Sequence, residues 1–140
     1  MTDETVPDPP EGFKLSRRGP YTAHNGPFFH RLIDGQVEHA FFALKRHCNS
    51  LGIVHGGMLS SFMDGMLAGA VVKETGFSVV TVHLSLDFLS MARAGDWVLA
   101  EARVTRKTNE LVFAEGRARV GSRDVIRASG LFKPVHRQAT

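Results

Sequence analysis

The run from Gly56 to Glu74 constrains this chain more than any other feature. Its apolar residues, Met58, Leu59, Phe62, Met63, Met66, Leu67, Ala68, Ala70, Val71 and Val72, leave almost no polar side. At helical spacing the run makes about five turns. A helix apolar nearly all round has to be buried or wrapped on several sides. Lys73 in the last turn and Gly76 just beyond it are suitable stop signals. The one carboxylate on the buried part of this helix is Asp64.

The flanking segments supply the wrapping. From Phe28 to Leu44, two apolar-rich stretches surround Asp34-Gly35, a pair suited to a tight hairpin turn. Arg46 to His55 loses the pattern in Cys48, Asn49, Ser50 and Gly52 and reads as a loop. Beyond the helix the period changes to two. Val80, Val82, Leu84, Leu86 and Phe88 alternate with Thr81, His83, Ser85 and Asp87, which predicts a strand with one buried and one polar face. Strands over Trp97–Lys107, Glu110–Val120 and Asp124–Val135 follow, joined by short turns, so an antiparallel meander is expected. One sheet curled around one apolar helix gives an α+β domain. It is expected over 13–140, after a flexible tail at 1–12 that is acidic and carries Pro7, Pro9 and Pro10. The helix's remaining apolar side and the sheet edges still need cover, so a homodimer is expected.

Composition removes several classes. The 140 residues make one ordinary domain, with 43% hydrophobic and 22% charged residues. No apolar run approaches the ~20 residues of a membrane span. The acidic, proline-rich start is the reverse of a signal peptide. A single cysteine, Cys48, fits a reducing cytoplasm. The net charge of +3 and the basic residues scattered through the last third read as a solvated face. They have no interleaved aromatics on which bases could stack, which argues against nucleic acid. His24, His30, His39 and His47 lack the spacing of a metal site. No G-x-S-x-G elbow is present.

The chemistry-bearing segment runs from Asn49 to Asp64. A carboxylate on a buried helix is costly unless hydrogen-bonded or put to work. Asp64 could be satisfied structurally by Ser60 or Ser61 one turn back, or it could be catalytic. Gly56 and Gly57 have no side chains to shield the helix start, which leaves backbone N–H groups and the positive dipole end open to an oxygen. They could equally form a plain tight turn. His55 could be a base or a histidine bonded to backbone, and Asn49 a turn residue.

Taken together, Asn49, His55-Gly56-Gly57 and Asp64 resemble the helix-start signature of hotdog-fold acyl-CoA thioesterases, in the phenylacetyl-CoA and 4-hydroxybenzoyl-CoA thioesterase group. The run VHGGMLSSFMDG at 54–65 carries the likeness, and TVHLSLDFL at 81–89 extends it. The resemblance implies a hydrolase with Asp64 as general base or nucleophile and the Gly57 N–H polarising the thioester carbonyl. Asn49 would hold water or that carbonyl, His55 would fix the loop and help orient the carbonyl, and Thr81 would assist the water. No metal and no cofactor beyond the coenzyme A of the substrate are implied. Arg93, Lys107 and Asn109 are expected to meet the coenzyme A phosphates, with Met58, Phe62, Met66 and Leu67 lining the acyl pocket. Two alternatives stay open: a hotdog hydratase or dehydratase using His55 with Asp64, and a non-catalytic acyl-CoA-binding protein. Gly57 and Asp64 lie about 10 Å apart along one helix. One carbonyl must meet both, so sites shared between two antiparallel helices of a homodimer are expected, whether or not dimers pair further.

Overall fold

The computed structural model describes residues 4–138, with side chains described up to 135. Its elements are β1 (Lys14–Leu15), α1 (Pro20–Asn25), β2 (Phe28–Ile33), β3 (Gln36–Phe42), α2 (Gly56–Thr75), β4 (Phe77–Phe88), β5 (Trp97–Lys107), β6 (Val112–Val120) and β7 (Arg123–Gln138). The strands form one seven-stranded antiparallel sheet in the order β1-β2-β3-β5-β6-β7-β4. The sheet curves around α2, which is the hotdog fold. No described helix is long and apolar enough to cross a membrane.

The helix forms where the apolar run predicts it. Met58, Leu59, Phe62, Met63, Met66, Leu67 and Val71 are buried against Phe41, Val98, Val112, Ile126 and Phe132 of the sheet. Close approach depends on Gly116 in β6. A Cβ there would come within 2.8 Å of the Met66 methyl and 2.5 Å of the Glu101 carbonyl, so only glycine lets helix and sheet meet. The β2–β3 hairpin closes through Asp34 and Gly35 at φ 51° and 75°, the paired left-handed residues of a type I′ turn. The loop before α2 contains a short 3₁₀ turn at Lys45–His47. Strands β5, β6 and β7 form the expected meander.

The segment expected as a flexible tail is laid against the domain from Glu4 onward. Val6 packs with Phe13, Phe29 and Ala40, Glu4 pairs with Arg46 at 2.7 Å, and the Glu11 carbonyl accepts from Arg31. The physical reason is a second apolar cluster on the outer face of β2, β3 and β5, where Trp97 and Leu99 join Phe29. Without this cover that cluster would face water. Elsewhere the outer face carries ion pairs: Arg31 and Arg119 on Glu38, Arg103 on Glu115, Arg117 on Glu101 and Asp124, and Arg127 on Asp87.

Strand β4 departs from simple alternation. It pairs only with β7 among the described strands, and a bulge between Thr81 and His83 resets its faces. Val79 before the bulge and Leu84 and Leu86 after it pack on the core. Val80, Val82 and Phe88 are about half exposed, at 50%, 53% and 54%. The expectation of one continuous buried face therefore fails for Val80 and Val82 at the bulge and for Phe88 at the end of the strand.

Candidate active site

Asp64 lies partly buried on α2, on the side turned toward β4. Its Oδ1 accepts a 2.6 Å hydrogen bond from the Thr81 hydroxyl. The structural alternative of Ser60 or Ser61 fails on geometry. Ser60 donates to the Gly56 carbonyl in its own helix, and the Ser61 hydroxyl pairs with the Tyr21 hydroxyl at 2.7 Å. Thr81 reaches Asp64 because it stands just before the bulge, on the face turned toward the helix. After the bulge an odd-numbered residue would point away, as Ser85 and Asp87 do.

At the helix start, His55 is the N-cap, and its Nδ1 accepts the Gly57 N–H at 2.8 Å. That donor is therefore occupied within the chain. The Met58 and Leu59 N–H groups go to the His55 carbonyl. The Gly56 N–H has no acceptor among the described residues. It is the donor that the helix start offers to an incoming oxygen. The His55 ring thus acts locally as a cap, and its backbone is anchored to the buried His47 by a 2.9 Å hydrogen bond to the carbonyl. Burial holds His47 neutral by pushing its pKa down, and its ring ties Leu44 N–H to the Asn25 carbonyl. Asn49 closes the loop as a turn residue, its Oδ1 accepting from Leu51 and Ile53 N–H. Its Nδ2 makes no described hydrogen bond. Phe88 leans over Gly56, its ring 3.5 Å from where a Cβ would stand.

The other expected contacts are dispersed. Arg93 pairs through its backbone with Ile53 beside the helix start, its side chain exposed. Lys107 lies at the opposite end of α2, 3.9 Å from Glu74, with Asn109 in the turn that follows. In one chain these groups cannot meet a single short ligand with Arg93. Met58 and Leu67 are core residues. Phe62 and Met66 are also core, and in addition they edge a small cleft on the other flank of α2. That cleft also contains Ser16, Arg18 and Thr22, which the sequence reading passed over, and His39, which it weighed only as a metal ligand. Among the described residues, no three His, Cys, Asp or Glu side chains are grouped to hold a metal ion.

A curved antiparallel sheet around a single helix, with a carboxylate on that helix and an open N–H at its start, is the frame of a thioester-processing protein. The chain belongs to the thioesterase superfamily, whose profile matches residues 51–126. It is 40% identical over 127 residues to a candidate esterase of Pseudomonas aeruginosa, covering 88% of this chain and 95% of that one. It is 28% identical over 71 residues to mouse acyl-coenzyme A thioesterase 13, about half of each chain (50% and 51%). Among solved structures it resembles a candidate thioesterase of Ralstonia eutropha JMP134 described as phenylacetic acid degradation-related. That likeness has a TM-score of 0.74 and 28% identity, over 84% of this chain and 92% of the other.

Proposed function

We propose that the protein hydrolyses acyl-CoA thioesters, with Asp64 as general base toward water. The observation that carries this reading is the Asp64–Thr81 pair. The Thr81 hydroxyl donates to Oδ1 and holds the carboxylate in one orientation, leaving Oδ2 to take a proton from water. Water adds to the thioester carbonyl, the oxyanion collapses, the C–S bond breaks, and the thiol leaves with the proton. The same carboxylate could attack directly and be released by water. The Gly56 N–H replaces that of Gly57 as the polarising donor, since the His55 ring holds the latter. Acyl-CoA as substrate is supported by family membership and by the name of the mouse relative.

Gly56 is eight residues before Asp64, about 12 Å along the helix axis. One reacting carbonyl cannot span that gap, so each site takes Gly56 from one subunit and Asp64 from the other. The outer edge of β4 has no strand partner among the described residues and carries the half-exposed Val80 and Val82, which suits pairing with a second β4. In that arrangement Lys107 and Asn109 approach the partner's helix start, where they and Arg93 could share one coenzyme A. A dehydratase would need the His55 ring as base, and Gly57 engages its Nδ1.

Incubation with a panel of acyl-CoAs and a thiol reagent tests the reading. Release of free coenzyme A together with the free acid is expected. An altered acyl chain, or binding with no turnover, would overturn it.

A further inference from the structure

On the flank of α2 away from Thr81, the segment between β1 and α1 lies across the helix like a strap. Arg18 in this strap is exposed as a residue, but its guanidinium rests on the helix backbone. Nη1 donates to the Gly65 carbonyl at 2.7 Å, and Nη2 faces the Nδ1 of His39 at 3.3 Å. Gly69 makes the seat, since a Cβ there would fall 2.8 Å from Nη2. Arginine can only donate, so the His39 Nδ1 is the acceptor and this histidine is neutral. His39 is only 5% exposed. Among the described residues no carboxylate pairs with Arg18. Burial lowers its pKa, as for a cation that has given up water without gaining a counter-ion.

The cleft beneath the guanidinium is lined by Ser16, Thr22 and Ser61 with Phe28, Phe62 and Met66. Its volume of about 30 Å³ suits one small polar group. Its rim adjoins the position of Asp64 along the helix. Ser61 is one turn before Asp64, and Gly65 is its immediate neighbour. The Tyr21 hydroxyl pairs with Ser61 at this rim.

We infer that the Arg18–His39 cleft receives a carboxylate at the far end of the acyl group, so that the protein selects ω-carboxyacyl thioesters over plain acyl thioesters. Arg18 is then a specificity residue: it supplies the charge partner, and Thr22 supplies a hydrogen bond to the second oxygen, since the Ser16 hydroxyl already pairs with His30 Nδ1 and that of Ser61 with Tyr21. The inference rests on the hydrolase reading above.

The test is a chain-length series of ω-carboxyacyl-CoAs, each compared with the plain acyl-CoA of equal length. At the best length, kcat/KM for the carboxylated member is expected to exceed that of its partner by about tenfold or more. Arg18→Met should lower kcat/KM for that member about tenfold more than for the plain one, and Arg18→Lys by an intermediate amount. The wild-type series decides the matter even if these variants fail to fold. Plain acyl-CoA hydrolysis with no length favouring the carboxylate overturns this inference alone. Equal losses on both substrates in Arg18→Met make Arg18 a structural strap and also overturn it. No hydrolysis of any thioester overturns the hydrolase reading and this one together.

Discussion

The Thr81 hydroxyl and the Asp64 carboxylate meet at 2.6 Å across the junction of β4 and α2, two elements separated in sequence only by Gly76. The contact depends on strand phase as much as on residue type, because the bulge after Thr81 turns the later odd-numbered residues outward. Thr81→Val keeps the shape and removes the donor. A hydrogen bond to a charged group contributes about 1.5–3 kcal/mol, so kcat should fall roughly 10- to 100-fold with a smaller change in KM. Thr81→Ser should recover most of the rate. Steady-state kinetics of the two variants checks this, and a Val variant at full speed would dissociate the hydroxyl from the reaction.

Asp64→Asn should cost about 10²–10⁴-fold in turnover. It removes a partly desolvated charge, so the melting temperature is expected to hold or rise. A collapse in melting temperature would instead make Asp64 a structural acid.

Gly56→Pro is a specific probe of the open N–H. Proline is well tolerated at the first position of a helix. The preceding residue, His55, already has φ −61° and ψ 138°, the extended conformation proline demands of its predecessor. The variant should fold, by circular dichroism, yet lose about 10²–10³-fold in kcat. Unchanged turnover would transfer the polarising role to another donor.

Refolding Gly56→Pro together with Asp64→Asn tests whether sites are shared. With random pairing half the dimers are mixed, and each mixed dimer holds one intact site, so about 25% of wild-type activity should return. If mixed dimers form and stay inactive, both groups act within one chain.

Burial, then Arg18 and His30, push the His39 pKa down to about 3. In the unfolded chain it returns to about 6.5, so between these values the unfolded state binds the extra proton. Stability should therefore fall as pH drops from about 6.5 toward 3 and be insensitive to this group above 6.5. His47, lowered in the same direction, adds to the same slope. Denaturant midpoints across this range should show a shallower acid slope for His39→Gln than for wild type. An identical slope would remove His39 as a source.

The parts legible in the sequence were those with a strong period or a special residue pair. The apolar run of α2, the Asp34-Gly35 hairpin and the meander all announce themselves locally. The two residues of β1 and the six of α1 carry too few positions to show a period. Packing of the segment from Glu4 depends on an outer apolar cluster assembled from β2, β3 and β5, which no local pattern reveals. In the site, Asp64 was legible as an anomaly of composition. Thr81 was named only through the family resemblance; by its period it is one polar residue in an alternating strand, because the bulge that aims it has no sequence mark. The occupied state of the Gly57 N–H follows from the rotamer of His55, which spacing does not encode.

The ion pairs on the outer face of the sheet bear on how a ligand finds this molecule. There, arginines and carboxylates cancel at short range, so that surface projects little electric field. Among the described cations outside these ion pairs are Arg18 on the helix flank, and Lys45 and Arg93 around the loop that leads into α2. Those three raise the potential beside the helix, and a polyanion diffusing nearby is drawn toward them before any contact forms. Its capture rate should consequently drop as added salt shortens the screening length, while its orientation on arrival is already biased toward the open end of α2.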